Sequence, residues 1–292
     1  MNKIALCLSG YFNSLTDKTS FGEDGFSYIE RNILNKVSSE SQVDIFFHNW
    51  EPDMEEKLVD MYKPKKYIVE SQIDFNKIAE ENGVSRKDLD SNNQLGSWTM
   101  DSKVGSGLAG PERILSQFYS LQKSIELKKE YEEENNFKYD CVIKARFDLG
   151  RINRNTSGPG KGNPYACQCI KFDETLDMDA FYQVYWDLFN EGPADMWFYS
   201  NSENMDNFCT LYDKTLNEYL KLNSDYHKVT MEGWPQSKLN DFRSNELFKE
   251  NPTENLHKYK PHEFVNAILL YKWFLIDCEL WYNSVALMTE WE

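Results

Sequence analysis

Short apolar runs of strand length, separated by segments with helical spacing, constrain this chain more than any other feature. The runs lie at residues 4–8, 43–48 and 141–143, with a further β-type run at 66–70. Apolar runs this short, bounded by turn residues, are consistent with strands buried on both faces. Strands of that kind belong to parallel sheets, whose crossover helices cover both sides. The segments between them supply the helices. Phe26, Ile29, Ile33 and Val37 recur every three or four residues, and 54–61 makes a second short helix. The resulting β-α-β-α-β order predicts an α/β domain with a mostly parallel central sheet flanked by helices.

Farther along, residues 74–110 are polar and rich in Asn, Ser and Gly. They read as a short helix followed by a long loop able to fold over a ligand. Gly110-Pro111 opens the clearest helix of the chain, with Pro111 at the first helical position. Its core stripe is Ile114, Phe118, Leu121 and Ile125, and its charged end, 128–136, is expected in solvent. A strand at 140–145 follows, then a Gly-, Asn- and Pro-rich loop over 151–165. Another strand is expected at 196–199. Ser200-Asn201-Ser202-Glu203 then fits a capping box, opening a helix with Met205, Phe208, Tyr212, Leu216 and Tyr219 on one side. Pro261 starts a last helix with Phe264, Ile268, Tyr271 and Leu275 inward. Residues 1–220 therefore read as the core, and 221–292 as a helical portion packed on it.

Composition narrows the partners. Asp and Glu number 48 against 32 Lys and Arg, for a formal charge of −16. Nucleic acid and anionic membrane are poor partners for such a surface. Cys7 and Cys141 sit inside apolar runs as small core residues, and Cys167-x-Cys169 lacks the second pair a zinc site needs. The thiols read as reduced. The first ten residues are too short an apolar stretch for a signal peptide, and the later one at 267–276 is interrupted by Lys272. A soluble, cytoplasmic protein with no transmembrane segment is expected.

The chemistry concentrates in Tyr139-Asp140-Cys141-Val142-Ile143-Lys144-Ala145-Arg146-Phe147-Asp148-Leu149. Residues two apart on a strand share a face. A guanidinium and a carboxylate are thus expected together at the carboxyl end of a buried strand, where open α/β sheets bind ligands. Lys144, Arg146, Arg151, Arg154 and Lys161 surround Asp148 as a basic island in an acidic chain, which suits an anion; the plain alternative is a loop that is merely basic. At the end of the first strand, Ser9-Gly10-Tyr11 switches to loop. Gly10 would admit a ligand close to the backbone; the plain alternative is a turn.

Arg146-x-Asp148 resembles the Asp-x-Asp motif of glycosyltransferases with the GT-A fold, and other segments extend the resemblance. Residues Ile4 to Gly10 and Val43 to Trp50 look like the first two strands of a group of such enzymes found in bacteria, large DNA viruses and phages. Ser116-Gln117-Phe118-Tyr119-Ser120 and Tyr139 to Leu149 resemble the helix and strand that follow. Ala194-Asp195-Met196-Trp197-Phe198-Tyr199 and Glu203-Asn204-Met205 resemble a later strand and helix.

This resemblance implies a GT-A-like fold and transfer of a sugar from a nucleotide-diphosphate sugar, such as a UDP-sugar, to a glycan or other hydroxyl acceptor. It implies a divalent cation, manganese or magnesium, on Asp148 with His262 as a late ligand. Arg146 stands where the first acid of the motif usually is, which bears directly on that cation. The donor would lie against Ser9, Gly10 and Tyr11, with Tyr11 stacking on the base, and against Asn13, Ser116, Gln117, Tyr119 and Arg146. Asp195, just before a strand, would be the base of an inverting transfer, with Glu203 and Glu263 as alternatives. Trp234, Trp273 and Trp281 offer faces for sugar, or core. The missing acid also motivates a second reading, a catalytically inactive sugar- or nucleotide-binding protein on the same fold. A methyltransferase fits less well, since no Gly-x-Gly loop follows the first strand.

Overall fold

The computed structural model of the chain describes residues 2–13, 21–83, 111–150, 170, 172–184, 197–214, 216 and 284–287. Six strands make a mixed sheet: β1 (Lys3–Gly10), β2 (Gln42–Asn49), β3 (Lys66–Val69), β4 (Cys141–Arg146), β5 (Phe181–Val184) and β6 (Trp197–Ser200). Their order is β3-β2-β1-β4-β6-β5. β1, β2, β3 and β4 are parallel to one another. Only β6 opposes them, pairing antiparallel with both β4 and β5. The expectation of a mostly parallel sheet flanked by helices therefore holds.

The all-apolar runs became strands because both sheet faces are covered. On one side Ile4, Leu6, Leu8, Ile45, Phe47 and Ile143 pack with Ile29, Ile33, Leu58 and Tyr62. Those last residues come from α1 (Phe21–Ile29), its continuation as a π turn (Glu30–Leu34), and α2 (Glu55–Tyr62). On the other side Ala5, Cys7, Phe46 and Val142 meet Phe118, Leu121 and Ile125 of the long helix α4 (Pro111–Asn135). A short α3 (Phe75–Glu81) precedes it, capped by Asp74, whose carboxylate accepts from the Lys77 N–H at 3.1 Å. Cys7 and Cys141 are buried core residues as expected, and burial pushes both thiols upward in pKa.

Several local expectations give way. The end of α4 is not solvated: Lys128 and Glu132 are buried, because α5 (Ser202–Phe208) lies against them. Lys128 Nζ donates to Glu132 Oε2 at 3.1 Å, Ser202 Oγ at 2.7 Å and Asp206 Oδ1 at 2.6 Å. The cap of α5 is Asn201, one residue later than the capping-box pattern placed it, and Ser200 instead serves carbonyls of Met178 and Ala180. The amphipathic stripe breaks into α5 and α6 (Leu211–Lys214). At the break the Thr210 hydroxyl takes the Asn207 carbonyl, competing with the helix ladder. Strand β5 had no signal beyond a short aromatic pair. Of the portion expected to be helical, 221–292, the described residues are a seventh strand, β7 (Ser284–Leu287), parallel beside β5. The rest, including the helix expected from Pro261 and Trp234, Trp273 and Trp281, lies outside the described residues. No described helix is long and apolar enough to cross a membrane.

Candidate functional site

The carboxyl edge of the parallel strands gathers most of the residues singled out in the sequence. Register sets Ser9, His48 and Arg146 side by side on β1, β2 and β4. β1 ends at Gly10 with φ +103, backbone that favours glycine, and a side chain there would meet nothing within 4 Å. The glycine is held from both sides: its N–H donates to Ser120 Oγ at 2.8 Å, and its carbonyl accepts from Asn49 Nδ2 at 3.0 Å.

Beyond Gly10, the loop hangs on Glu51. That carboxylate accepts from the backbone N–H groups of Phe12 and Asn13 and from Asn13 Nδ2 at 2.8 Å. Glu51 is itself fixed, its N–H donating to Asn49 Oδ1 at 2.7 Å. Tyr11 donates its hydroxyl to Gln72 Oε1 at 2.7 Å, and Ser116 Oγ donates to the same oxygen at 3.2 Å. Burial, and secondarily the charge of Glu51, raises the Tyr11 pKa, so it stays a neutral phenol. Gln72 thus ties the β1 loop to the start of α4. Gln117 is half-buried on the same helix. Tyr119 stacks on Trp50, with ring centroids 5.5 Å apart at 24°.

Under this layer sits a buried polar chain. His48 Nδ1 lies 2.8 Å from Ser120 Oγ, and its Nε2 lies 2.9 Å from Glu70 Oε1. Burial lowers the His48 pKa, partly opposed by Glu70, so the ring is neutral at pH 7. Geometry then assigns the proton. A lone pair on Nε2 facing a carboxylate would be repulsive, so Nε2 carries the hydrogen and Nδ1 accepts from Ser120. The order Ser-His-Glu is that of a nucleophile triad, but Ser120 is fully buried and its oxygen already accepts from Gly10. It is a positioning chain and not a nucleophile.

β4 delivers the other half of the edge. The strand stops at Arg146, so Asp148 stands on the following turn, not on the strand; the two side chains still meet. Arg146 Nε donates to Asp148 Oδ1 at 2.9 Å and Arg146 Nη2 to Oδ2 at 2.8 Å, a bidentate pair. The pair is partly open to solvent, with 37% of the Arg146 side chain and 19% of the Asp148 side chain exposed. α1 braces this turn: Gly25 lies against the Phe147 carbonyl, and the Tyr28 ring lies against Gly150. Lys144, the other described base of the basic island, is buried, its Nζ over the Phe198 ring at 5.4 Å.

One described candidate, Glu203, does not arrive at this edge, and several others lie outside the described residues. β6 runs against β4, so Trp197 pairs with Ala145 while Ser200 pairs with Val142. Glu203, in the first turn of α5, follows the far end of β6 and is exposed there. Asp195, Glu263 and His262, together with Arg151, Arg154 and Lys161, lie outside the described residues. No cluster of three or more His, Cys, Asp or Glu able to hold a metal occurs among the described residues. Asp148 has both oxygens engaged by Arg146, so the described residues do not by themselves make a cation site.

Sequence reading missed Asn49, Glu51, Glu70 and Gln72, which hold the loop by hydrogen bonds between elements distant along the chain. The available signal was modest: polar His48-Asn49 closing a buried apolar strand. No family model and no curated protein matches this chain.

Proposed function

We propose that the chain is a glycosyltransferase that takes a sugar from a nucleotide-diphosphate sugar and passes it to a glycan or other hydroxyl acceptor. The observation that carries this reading is the convergence at one sheet edge. A clamped glycine loop, with Tyr11 beside it, and a partly exposed Arg146–Asp148 pair end neighbouring parallel strands. Ligands of open α/β sheets bind at such an edge. The ordered resemblance to GT-A enzymes points the same way.

In this reading Tyr11 and the Gly10 loop receive the nucleoside. Arg146 takes the diphosphate, turning from Asp148 toward the anion and stabilising the charge that develops as the sugar leaves. Guanidinium serves here because its fork matches phosphate oxygens as well as carboxylate ones. The manganese or magnesium ion of the resemblance would use Asp148 with His262, and added manganese tests it. Asp195 is the base in this reading; it precedes by two residues a strand that starts opposite Ala145. Glu203 is a weaker candidate, since the strand before it ends at the other edge.

A second reading, a silent sugar- or nucleotide-binding protein, is favoured by one observation: both Asp148 oxygens are already taken by Arg146. Sugar-nucleotide hydrolysis separates the two. Asp148→Ala should abolish hydrolysis while far-UV circular dichroism stays unchanged. Equal hydrolysis by the variant, or none by the unaltered protein, removes the transferase reading.

A further inference from the structure

The chain Glu70–His48–Ser120–Gly10, buried at His48 and Ser120 and partly open at Glu70, does more than fill space. Its last link ends on the Gly10 N–H, where the backbone has positive φ and open space in front. We propose that neutral His48, acting through the Ser120 hydroxyl, is a positioning residue that holds the Gly10 loop ready for an anionic nucleotide, and that charging His48 loosens this hold. The ligand part rests on the nucleotide-sugar reading above; the positioning part does not.

The argument is one of donors and acceptors. With His48 neutral, every group is matched. Nε2–H donates to Glu70, Nδ1 accepts the Ser120 proton, and the Ser120 oxygen is left to accept from Gly10. A charged ring donates at both nitrogens. Nδ1–H and Gly10 N–H then converge on a single oxygen. The Ser120 proton must turn to the His48 carbonyl, 3.5 Å away, beyond good hydrogen-bond length. The oxygen has two lone pairs and can accept from both, but it is a poorer acceptor once its own proton has lost Nδ1 and a cationic donor shares it, so the Gly10 bond weakens.

The groups around His48 set the direction. Glu70, beyond β3, favours the charged ring; burial and Lys123 on α4 disfavour it. Tyr119, from α4, and Trp50, from β2's own end, pack on the ring as neutral aromatics. Arg146 lies two strands away, with Ser9 between it and His48, and its charge is met by Asp148. A histidine whose folded pKa lies below 6.5 takes up its proton only at more acid pH. The loop should therefore be held at neutral pH and released below it.

The test has one arm that needs no ligand. In the full-length protein, nitrogen NMR of His48 should show the Nε2–H tautomer, and Ser120→Ala should speed exchange of the Gly10 amide by about tenfold or more. An Nδ1–H tautomer, or an unchanged Gly10 amide in Ser120→Ala, overturns the proposal. In the second arm, uridine diphosphate is titrated calorimetrically from about pH 8 to about pH 5. The unaltered protein should lose about tenfold in affinity over the same pH interval in which the nitrogen NMR shows His48 taking up its proton. Ser120→Ala should begin weak and show no such step, and Ser120→Thr should restore it. A matching step in Ser120→Ala also overturns the proposal. If uridine diphosphate binds nowhere while the Gly10 amide responds to Ser120, the donor reading fails and the positioning role stands.

Discussion

Lys128→Met probes a fully buried cation that joins α4 to α5 through Glu132, Ser202 and Asp206. The substitution keeps most of the side-chain length, so the loss is chiefly of charge and hydrogen bonds. Three bonds disappear, to Glu132, Ser202 and Asp206. Breaking a buried pair from one side costs about 3–5 kcal/mol when the partner is stranded. Here the partners are not wholly stranded. Glu132 keeps Lys138 Nζ at 2.8 Å, Ser202 Oγ at 2.7 Å and the Tyr139 N–H at 2.9 Å. Asp206 keeps Lys138 at 3.4 Å and has 15% of its side chain exposed. The cost should therefore fall near the lower bound, about 3 kcal/mol, or a drop in Tm of roughly 6–10 °C. Urea unfolding followed by far-UV circular dichroism at pH 7 measures it. Adding Asp206→Asn should recover at least about 1 kcal/mol by removing the one excess negative charge. A Lys128→Met protein within about 1 kcal/mol of the original would refute the reasoning, because the helix end would then be as tolerant as a solvated one.

Three further outcomes follow from single contacts. Burial alone would raise the Glu132 pKa, but Lys138, the Tyr139 N–H and Ser202 hold it below 4.5. Its stabilisation is complete above pH 4.5 and disappears as pH falls through the folded value; Glu132→Gln, less stable at neutral pH, should show a flatter acid limb in pH-dependent melting. Gly25→Ala would place its Cβ 1.8 Å from the Phe147 carbonyl oxygen, against backbone that has little room to yield. It should cost at least about 2 kcal/mol in urea unfolding and weaken any ligand held by the Arg146–Asp148 turn. Tyr62→Phe deletes a buried hydroxyl with no partner among the described residues while keeping the ring contacts to Phe26 and Phe147. It should be neutral or stabilising by up to about 1 kcal/mol, read as a Tm shift.

The sheet was legible because burial on both faces leaves a local trace: a run such as Ile4 to Leu8 has nowhere to be but between two layers of helix. The helices on its first crossovers were legible for the same reason. What sequence could not supply were facts set by distant partners. Lys128 reads as a solvated helix end until α5, more than 70 residues later, brings Ser202 and Asp206 to it. Glu203 reads as an alternative base to Asp195 until β6, running against β4, is seen to end at the far edge of the sheet just before it. Arg146 and Asp148 were expected to meet through strand alternation; they meet across a strand end and a turn, which alternation does not describe. The hold on Gly10 needed β2, α4 and the residue after β3 together, so no single window of sequence contained it.

Calorimetric titration with uridine diphosphate, comparing the unaltered protein with Arg146→Ala, tests the central claim most directly. The account predicts binding by the unaltered protein and at least a tenfold weaker association, about 1.4 kcal/mol, in Arg146→Ala with an unchanged circular dichroism spectrum. Absence of binding to this or any other nucleoside diphosphate, or equal binding by both proteins, would contradict it.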